Sequence, residues 1–310
     1  MSLIQEAKRA ARDHLPGMYA RWAAREKRRL PEQIPAIVSS PMPYKYCDEA
    51  TFSRLQKEFA QVWPDYSESE FSNWRRAVDR VAYIVQLPTF AGRSGLKMLE
   101  AACSDGMTGK AFAGYGYEVT LHDLQDWREP RNKSLDFVGG DLCQPLPIAE
   151  NSFDIICSWN SFEHVPDPAA ALAELLRICK PGGHIYLWFN PLWCSPLGLH
   201  ALKFTMPYPQ FLFSEELIET KMRELAGDAG GGDHWSHHKK HVDLMNKVRL
   251  ATFREIWKNS GGEVVFLNET RNDQHLNVVA NFPQAFTGRG LTLEDLVTDG
   301  IEVLLRKPER

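Results

Sequence analysis

The stretch KMLEAACSDGMTGKAF, residues 97–112, has the pattern of a short buried strand, a tight loop and the start of a helix. The run MLEAA is apolar apart from one acid, and the loop after it consists of small residues. Small side chains allow a backbone to approach a ligand closely, so this loop is a candidate binding loop. A core strand that simply runs into a helix gives the same pattern, and the stretch alone does not separate the two interpretations.

Composition narrows the class of protein. The 310 residues are 44% hydrophobic and 25% charged, as in soluble globular proteins, and the formal net charge is -4. A nucleic-acid partner is not expected, because proteins that bind nucleic acids usually present an excess of basic residues. The sequence has no apolar run of about 20 residues and no signal-peptide core at its start, which predicts a cytoplasmic protein without a membrane span. The six cysteines lack CxxC spacing and are expected to be reduced.

Residues 1–90 are predicted to form an N-terminal helical cap. The first 30 residues are basic and helix-prone, typical of a solvated helix face or of a contact to an anionic substrate. Helices are predicted over residues 49–62 and after Ser67 and Glu70, which form a capping box. Apolar residues then recur at helical spacing and are expected to pack on the following sheet. They are Phe71, Trp74, Val78, Val81 and Ala82.

Residues 91–310 are predicted to form the main domain. The runs MLEAA, EVTLHD, LDFVGGD, FDIICSW and HIYLWF read as strands, with helices after residues 106 and 168. This alternation indicates an α/β fold with a mainly parallel sheet. Residues 191–245, rich in aromatics, glycine and histidine, interrupt the alternation and are predicted to be an inserted lid. A helix at 250–259 and strands at 263–268 and 301–306 are expected beyond it.

Polar residues follow the predicted strands where ligands bind to open sheets of this class. Asp123 ends the second strand at about the offset, roughly 20 residues, at which an acid binds ribose hydroxyls, although a helix-capping Asp would look similar. Asp141 with its apolar neighbour Leu142 follows the third strand and suits an adenine ring. Ser158, Trp159 and Asn160 end the fourth strand.

The run from Met98 to Phe189 resembles the core of class I S-adenosylmethionine-dependent methyltransferases that act on metabolites. The resemblance is carried by LEAACSDGMTG, by acids after strands two and three, by a strand SFDIICS followed by EHVPDP, and by the turn KPGGHIYL. It implies a Rossmann-like fold with a mainly parallel sheet and an antiparallel last strand. It also implies S-adenosyl-L-methionine as cofactor.

Carried onto this chain, the resemblance implies a set of cofactor-binding residues in the loops after the strands. The methionine and ribose part would be lined by Glu100, Ala102, Ser104, Asp105 and Gly106. Asp123 and Leu124 would lie at the ribose hydroxyls, and Asp141 and Leu142 at the adenine. The rim nearest the reacting methyl would be formed by Ser158, Trp159 and Asn160. Ala102 and Ser104 stand where the family usually has glycine. They either narrow the approach of the cofactor or mark a relative that has lost it.

Histidines are the candidate general bases, because the unperturbed pKa of histidine lies nearest neutrality. His164 follows the fourth strand, where it could equally bond the backbone. His241 ends the run GGGDHWSHHKKH, residues 230–241. That run is typical of a solvated loop, a lid that contacts substrate or a metal site, and no metal is predicted because cysteines and a carboxylate cluster are missing from it.

The predicted function is transfer of a methyl group to a small-molecule or sugar acceptor, at oxygen. A dinucleotide-dependent oxidoreductase shares the strand, loop and helix but needs a glycine-rich phosphate loop. A non-enzymatic binding protein with the same fold is the third class, suggested by the altered loop. A monomer and a homo-oligomer both fit the sequence.

Overall fold

The computed structural model describes residues 29–59, 70–201, 203–226 and 242–309. Ser67 of the predicted capping box, the histidine-rich run with His241, and most of the basic N-terminal segment lie outside the described residues.

In the described part of the chain, seven strands form one sheet in the order β3-β2-β1-β4-β5-β7-β6. Strands β1 to β5 pair in parallel, and β7 runs antiparallel to both β5 and β6. This confirms the predicted Rossmann-like class with its antiparallel last strand. The strands are β1 (Lys97–Ala101), β2 (Glu118–Asp123), β3 (Asp136–Gly139), β4 (Phe153–Trp159), β5 (Cys179–Phe189), β6 (Glu263–Arg271) and β7 (Thr298–Arg306).

Helices cover the sheet and form a further layer beside it. They are α1 (residues 29–38), α2 (Glu49–Glu58), α3 (Glu70–Gln86), α4 (Met107–Tyr115), α5 (Pro168–Ile178), α6 (Pro209–Leu212), α7 (Glu215–Ala226), α8 (Leu250–Asn259), α9 (Leu276–Asn281) and α10 (Leu293–Val297). Among the described helices, none combines the length and the apolar character needed to cross a bilayer.

The ends of some strands and helices differ from the sequence prediction, because strand pairing and the backbone conformation at helix ends decide where they fall. Strands β6 and β7 are longer than predicted, since they pair with each other from Glu263 opposite Arg306 to Arg271 opposite Thr298. Helix α2 ends at Glu58 rather than at residue 62, and the next residue, Phe59, has an extended backbone. Local hydrophobic pattern alone does not encode these limits.

The predicted packing face of α3 is wrong in part. Phe71 is 73% exposed, and Trp74 and Val78 are each 42% exposed. The face that packs on α4 instead contains Ala77, Val81 and Ile84, all buried. The two stripes lie side by side on a helix of 3.6 residues per turn, and only contact with α4 selects between them.

Within the described residues, three apolar clusters make up the interior. One fills the space between the sheet and α3 and α4, and another lies between the sheet and α5 and α8. The third joins α1 and α2 to residues 194–222 and 276–297. At its centre the ring of Phe52 lies 5.0 Å from that of Phe204 and 5.1 Å from that of Phe213. Part of the predicted cap and part of the predicted lid therefore share one core.

Candidate functional site

The carboxyl ends of β1, β2, β3 and β4 lie at one edge of the sheet. Register places Ala101 beside His122, Asp123 beside Gly139 and Glu100 beside Cys157. The loops that leave these strands must therefore be neighbours, as in other open parallel sheets that bind ligands at this edge.

The loop after β1 has a glycine-like backbone built from other residues. Ala102 has φ of 58° and Ser104 has φ of 49°, while Gly106 has φ of 74°. A left-handed backbone costs an L-residue about 1–2 kcal/mol, so Ala102 and Ser104 are held there by their surroundings. Although Ala102 and Ser104 are not glycines, the loop keeps the backbone conformation that glycine would favour.

Asp123 ties this loop to the end of β2. Its Oδ2 accepts a hydrogen bond of 2.9 Å from the N–H of Ser104, and its Oδ1 accepts one of 2.8 Å from the N–H of Leu124. A carboxylate has about four acceptor positions, so two backbone bonds leave capacity for two hydroxyls. The half-buried carboxylate and the exposed Leu124 lie at the edge of the sheet.

Glu100 is aimed at the start of α4 and is only 3% exposed. Its Oε2 accepts a hydrogen bond of 2.7 Å from the N–H of Gly109. Burial raises the pKa of Glu100 to about 8, opposed by the charge of Arg80. Arg80 donates a 3.0 Å bond to Oγ1 of Thr108 and lies 5.1 Å from the ring of Trp159. Glu100 thus holds α4 beneath the loop that follows β1.

Asp105 caps the same helix. Its Oδ1 accepts a bond of 2.9 Å from the N–H of Met107, and its carbonyl oxygen accepts from Glu129 and from the side chain of Asn132. Gly106 is the N-cap residue, and a Cβ there would lie 2.9 Å from Leu121. These contacts fix the direction in which the loop enters α4.

Of the two residues predicted to bind adenine, Asp141 lies at the surface and Leu142 lies in the core. Asp141 is exposed, and its Oδ1 accepts a 2.9 Å bond from the N–H of Cys143. Leu142 is 6% exposed and packs in the cluster that contains Leu99. The carboxylate of Asp141 keeps free acceptor capacity at the edge, whereas the side chain of Leu142 mainly supports the loop.

Of the three residues predicted at the end of the fourth strand, Ser158 and Trp159 lie in β4 and Asn160 follows it, and only Asn160 presents its side chain to solvent. Ser158 is buried, donates a bond of 2.8 Å to the carbonyl of Ala101 and pairs with Ser161. Trp159 is 7% exposed, and its ring packs in the core under α3 and α4. Asn160 is exposed, with φ of 51° and a 3.3 Å bond to the carbonyl of Asn190. Because the side chains of Ser158 and Trp159 are buried, these residues could contact a ligand only through their backbone atoms.

Beyond β4, the predicted base His164 belongs to a cluster with Glu163 and His200. Glu163 is 1% exposed, and no other described residue donates a hydrogen bond to either of its carboxylate oxygens. Burial raises the pKa of Glu163 well above its usual range. The rings of His164 and His200 lie 4.9 Å apart, and one potential ligand atom from each of the three residues lies within 4.8 Å of the others.

Asn246 fastens this loop from a distant part of the chain. Its backbone N–H donates to the carbonyl of Glu163 at 2.9 Å, and its side-chain amide donates to the carbonyls of Phe162 and Val165 at 2.6 and 2.9 Å. The N–H of Val248 in turn donates to Oδ1 of Asn246. Asn246 therefore holds the loop that carries Glu163 and His164 at three backbone positions.

The sequence interpretation missed Arg80, His200 and Asn246. Glu163 stood next to His164 in EHVPDP, but an acid in that position carries no local sign that it will be buried. His200 and Asn246 are brought to the loop only by the tertiary fold. His241, the second predicted base, lies outside the described residues.

A model of the methyltransferase domain family matches residues 99–187. Over 139 residues the chain is 32% identical to a demethylmenaquinone methyltransferase of Renibacterium salmoninarum, which covers 41% of this chain and 54% of that protein. Over 106 residues it is 30% identical to a ubiquinone biosynthesis O-methyltransferase of Thiobacillus denitrificans, with 32% and 46% covered. The chain spans about half the length of these curated relatives.

Among solved structures, an S-adenosylmethionine dependent methyltransferase from Mesorhizobium loti is 17% identical with a TM-score of 0.47. The comparison covers 76% of this chain and 100% of that chain.

Proposed function

We propose that this chain, whose residues 99–187 form a class I S-adenosylmethionine-dependent methyltransferase domain, transfers a methyl group from S-adenosyl-L-methionine to an oxygen of a small molecule or sugar. The family match confirms the cofactor that the motifs predicted. The observation that carries the proposal is the junction of Ser104 with Asp123, which sets a glycine-like loop beside a carboxylate with spare acceptor capacity at the edge of the sheet.

The reaction is a direct displacement. An acceptor oxygen attacks the methyl carbon, the new O–C bond forms as the C–S bond breaks, and S-adenosylhomocysteine leaves with the electron pair on sulfur. The acceptor hydroxyl gives up its proton in the same overall step. The protein contributes alignment of the two partners and exclusion of water, which account for much of the rate in reactions of this type.

Each loop has a proposed part in holding the cofactor. Asp123 accepts hydrogen bonds from the ribose hydroxyls, and Asp141 accepts one from the adenine amino group. The backbone of residues 102–106 lies along the methionine part, where its left-handed positions bring N–H groups close to the ligand. Glu100 and Asp105 act indirectly, by fixing α4 under this loop.

The proposed acceptor site lies between the loop after β4 and the layer in which α1 and α2 pack on described residues between 194 and 222. In the described parts, Phe52 of α2 packs on Phe204 and Phe213. Gln56 exchanges two hydrogen bonds with the backbone of residues 203 and 205. Such a layer would shield the reacting methyl from water, and its aromatic content suits a ring or an acyl chain.

The proton of the acceptor hydroxyl is accepted at the loop after β4. His164 is the predicted base that the structure describes, and it lies beside buried Glu163 and His200. Oxygen as the acceptor atom is supported by the name of the relative in ubiquinone biosynthesis, an O-methyltransferase.

Calorimetric titration of the full chain with S-adenosylmethionine, S-adenosylhomocysteine and NAD tests the proposal. We expect both sulfur compounds to bind and NAD to show no heat of binding. Binding of NAD alone would replace the proposal by a dinucleotide oxidoreductase. If none of the three bound, a non-enzymatic role for the fold would follow.

A further inference from the structure

We propose that Glu163, His164 and His200 bind a divalent transition-metal ion, such as Zn²⁺, at the loop after β4. One carboxylate and two imidazoles form a common ligand set for zinc and related metals. None of these three residues belongs to the histidine-rich run at residues 230–241, for which the sequence analysis considered a metal site.

The carboxylate of Glu163 is the first observation. It is 1% exposed, and no other described residue donates a hydrogen bond to it. A buried carboxylate without a partner is expensive, and proteins normally neutralise such a group, pair it or use it to hold a metal. A cation placed between Glu163 and the two imidazoles would provide the missing partner.

The geometry of the three side chains is the second observation. Their potential ligand atoms lie within 4.8 Å of one another. The ligands of a tetrahedral zinc, at bond lengths of about 2.0–2.2 Å, stand roughly 3.4 Å apart. The side chains therefore need to close by at most about 1.4 Å, within the reach of small side-chain rotations. Nδ1 of His164 and Nε2 of His200 are both buried atoms, shielded from competing water.

The support around the loop is the third observation. Asn246 bonds the backbone at Phe162, Glu163 and Val165, and its own amide is oriented by the N–H of Val248. Groups outside the ligand set that fix ligand-bearing backbone are typical of metal sites, because the ligands must be held before the ion arrives.

Three protein ligands leave a coordination position for water or an oxygen of the substrate, as in catalytic rather than structural zinc sites. If the proposed methyl transfer holds, that position lies on the side of the acceptor, and a bound hydroxyl would lose its proton more readily. With His164 bound to the metal, the released proton passes to solvent rather than to His164, and the oxygen then attacks the methyl group. Only this role rests on the proposed function; metal binding does not.

The test uses the full chain freed of metal with a chelator and titrated with Zn²⁺ by calorimetry, and with Co²⁺ followed by its visible absorption. Glu163→Gln keeps the shape of the side chain and removes the charge. His200→Asn suits the left-handed backbone at this position, where φ is 57°. The matched control replaces His234, His237, His238 and His241 together by Ala.

We expect one ion per chain in the wild type and in the control, and at least tenfold weaker binding in Glu163→Gln and in His200→Asn. Zn²⁺ should raise the thermal midpoint of the wild type by more than that of Glu163→Gln at the same concentration. Equal binding by wild type, Glu163→Gln and His200→Asn would overturn the proposal, as would loss of binding only in the control.

S-adenosylmethionine binding is measured on the same samples. A variant that binds the cofactor normally is folded, so its loss of metal is specific. If the wild type binds the metal but not the cofactor, the proposed function fails and the metal site stands.

Discussion

The backbone N–H of Ser104 donates a hydrogen bond of 2.9 Å to Oδ2 of Asp123, and this bond couples the loop after β1 to the end of β2. Ser104 has a left-handed backbone that the bond helps to hold. The carboxylate that is proposed to bind the ribose is thus the same group that shapes the loop beneath the methionine part. Changes at either residue are expected to affect both.

Asp123→Asn should therefore lower both the affinity for the cofactor and the stability of the fold. An amide side chain offers one acceptor oxygen for the N–H groups of Ser104 and Leu124, and it has lost the charge that strengthens bonds to hydroxyls. We expect affinity for S-adenosylmethionine to fall roughly 10–100-fold by calorimetry. The control is Asp136→Asn, an exposed acid at the opposite end of β3. Equal affinities for the two variants would contradict the proposed role of Asp123.

Two glycines of α4 should respond oppositely to alanine. A Cβ at Gly109 would lie 2.3 Å from Leu121 and 3.0 Å from Oε2 of Glu100. Gly109→Ala should therefore destabilise the protein by about 1–3 kcal/mol. Gly114 has open space around its Cα, so Gly114→Ala should stabilise by about 0.5–1 kcal/mol through helix propensity. Urea unfolding of both variants checks the prediction, and similar values for the two would refute the close packing under the loop.

Ala102→Gly should relieve strain in the binding loop. The left-handed backbone of Ala102 costs about 1–2 kcal/mol, while glycine adds about 0.4–1 kcal/mol of entropy to the unfolded chain. We expect a net stabilisation of about 0.5–1 kcal/mol in urea unfolding. A clear destabilisation would show that the methyl group of Ala102 contributes packing that outweighs its strain.

Glu100 should make stability fall as pH rises. Its pKa is raised by burial from 4.5 to about 8 in the folded protein. Between these values the folded state holds a proton that the unfolded state has released, so the free energy of unfolding decreases with pH in this window. Glu100→Gln cannot ionise and should gain stability relative to the wild type from about pH 4.5 to about pH 8, then keep a constant lead.

Urea unfolding at a series of pH values measures this difference. Glu118→Gln is the control, because Glu118 is exposed at the start of β2. Parallel pH profiles for the wild type and Glu100→Gln would mean that Glu100 ionises in the folded protein as it does in the unfolded chain.

The layer that joins α2 to residues 194–222 should be needed for turnover rather than for cofactor binding. Phe52→Ala removes a ring that is 2% exposed and should cost about 3–5 kcal/mol. Below the unfolding temperature, we expect slower methyl transfer with unchanged cofactor affinity. Phe71→Ser, at a position that is 73% exposed, should stay within about 0.5 kcal/mol of the wild type. A loss of cofactor affinity in Phe52→Ala would place this layer over the cofactor instead.

The class of fold was predictable because it depends on local patterns repeated in order. Short apolar runs alternating with helical stretches define β1 to β5 and the helices between them, and the acids at positions 123 and 141 follow their strands as expected. The limits of β6 and the packed stripe of α3 were not predictable in the same way. Each depends on a partner element, and sequence periodicity does not name the partner.

The sequence by itself predicted the mainly parallel sheet, S-adenosylmethionine as the cofactor, and the edge of the sheet at which we propose that it binds, since these predictions depend on residues that neighbour one another in the chain. Only the tertiary structure decided that Ala102 and Ser104 take glycine-like conformations, and that Glu100 is covered by Arg80 and α4. It also decided that Glu163 and His164 meet His200. Burial and contact between distant segments are properties of the packed chain, and they set charge and strain at this site.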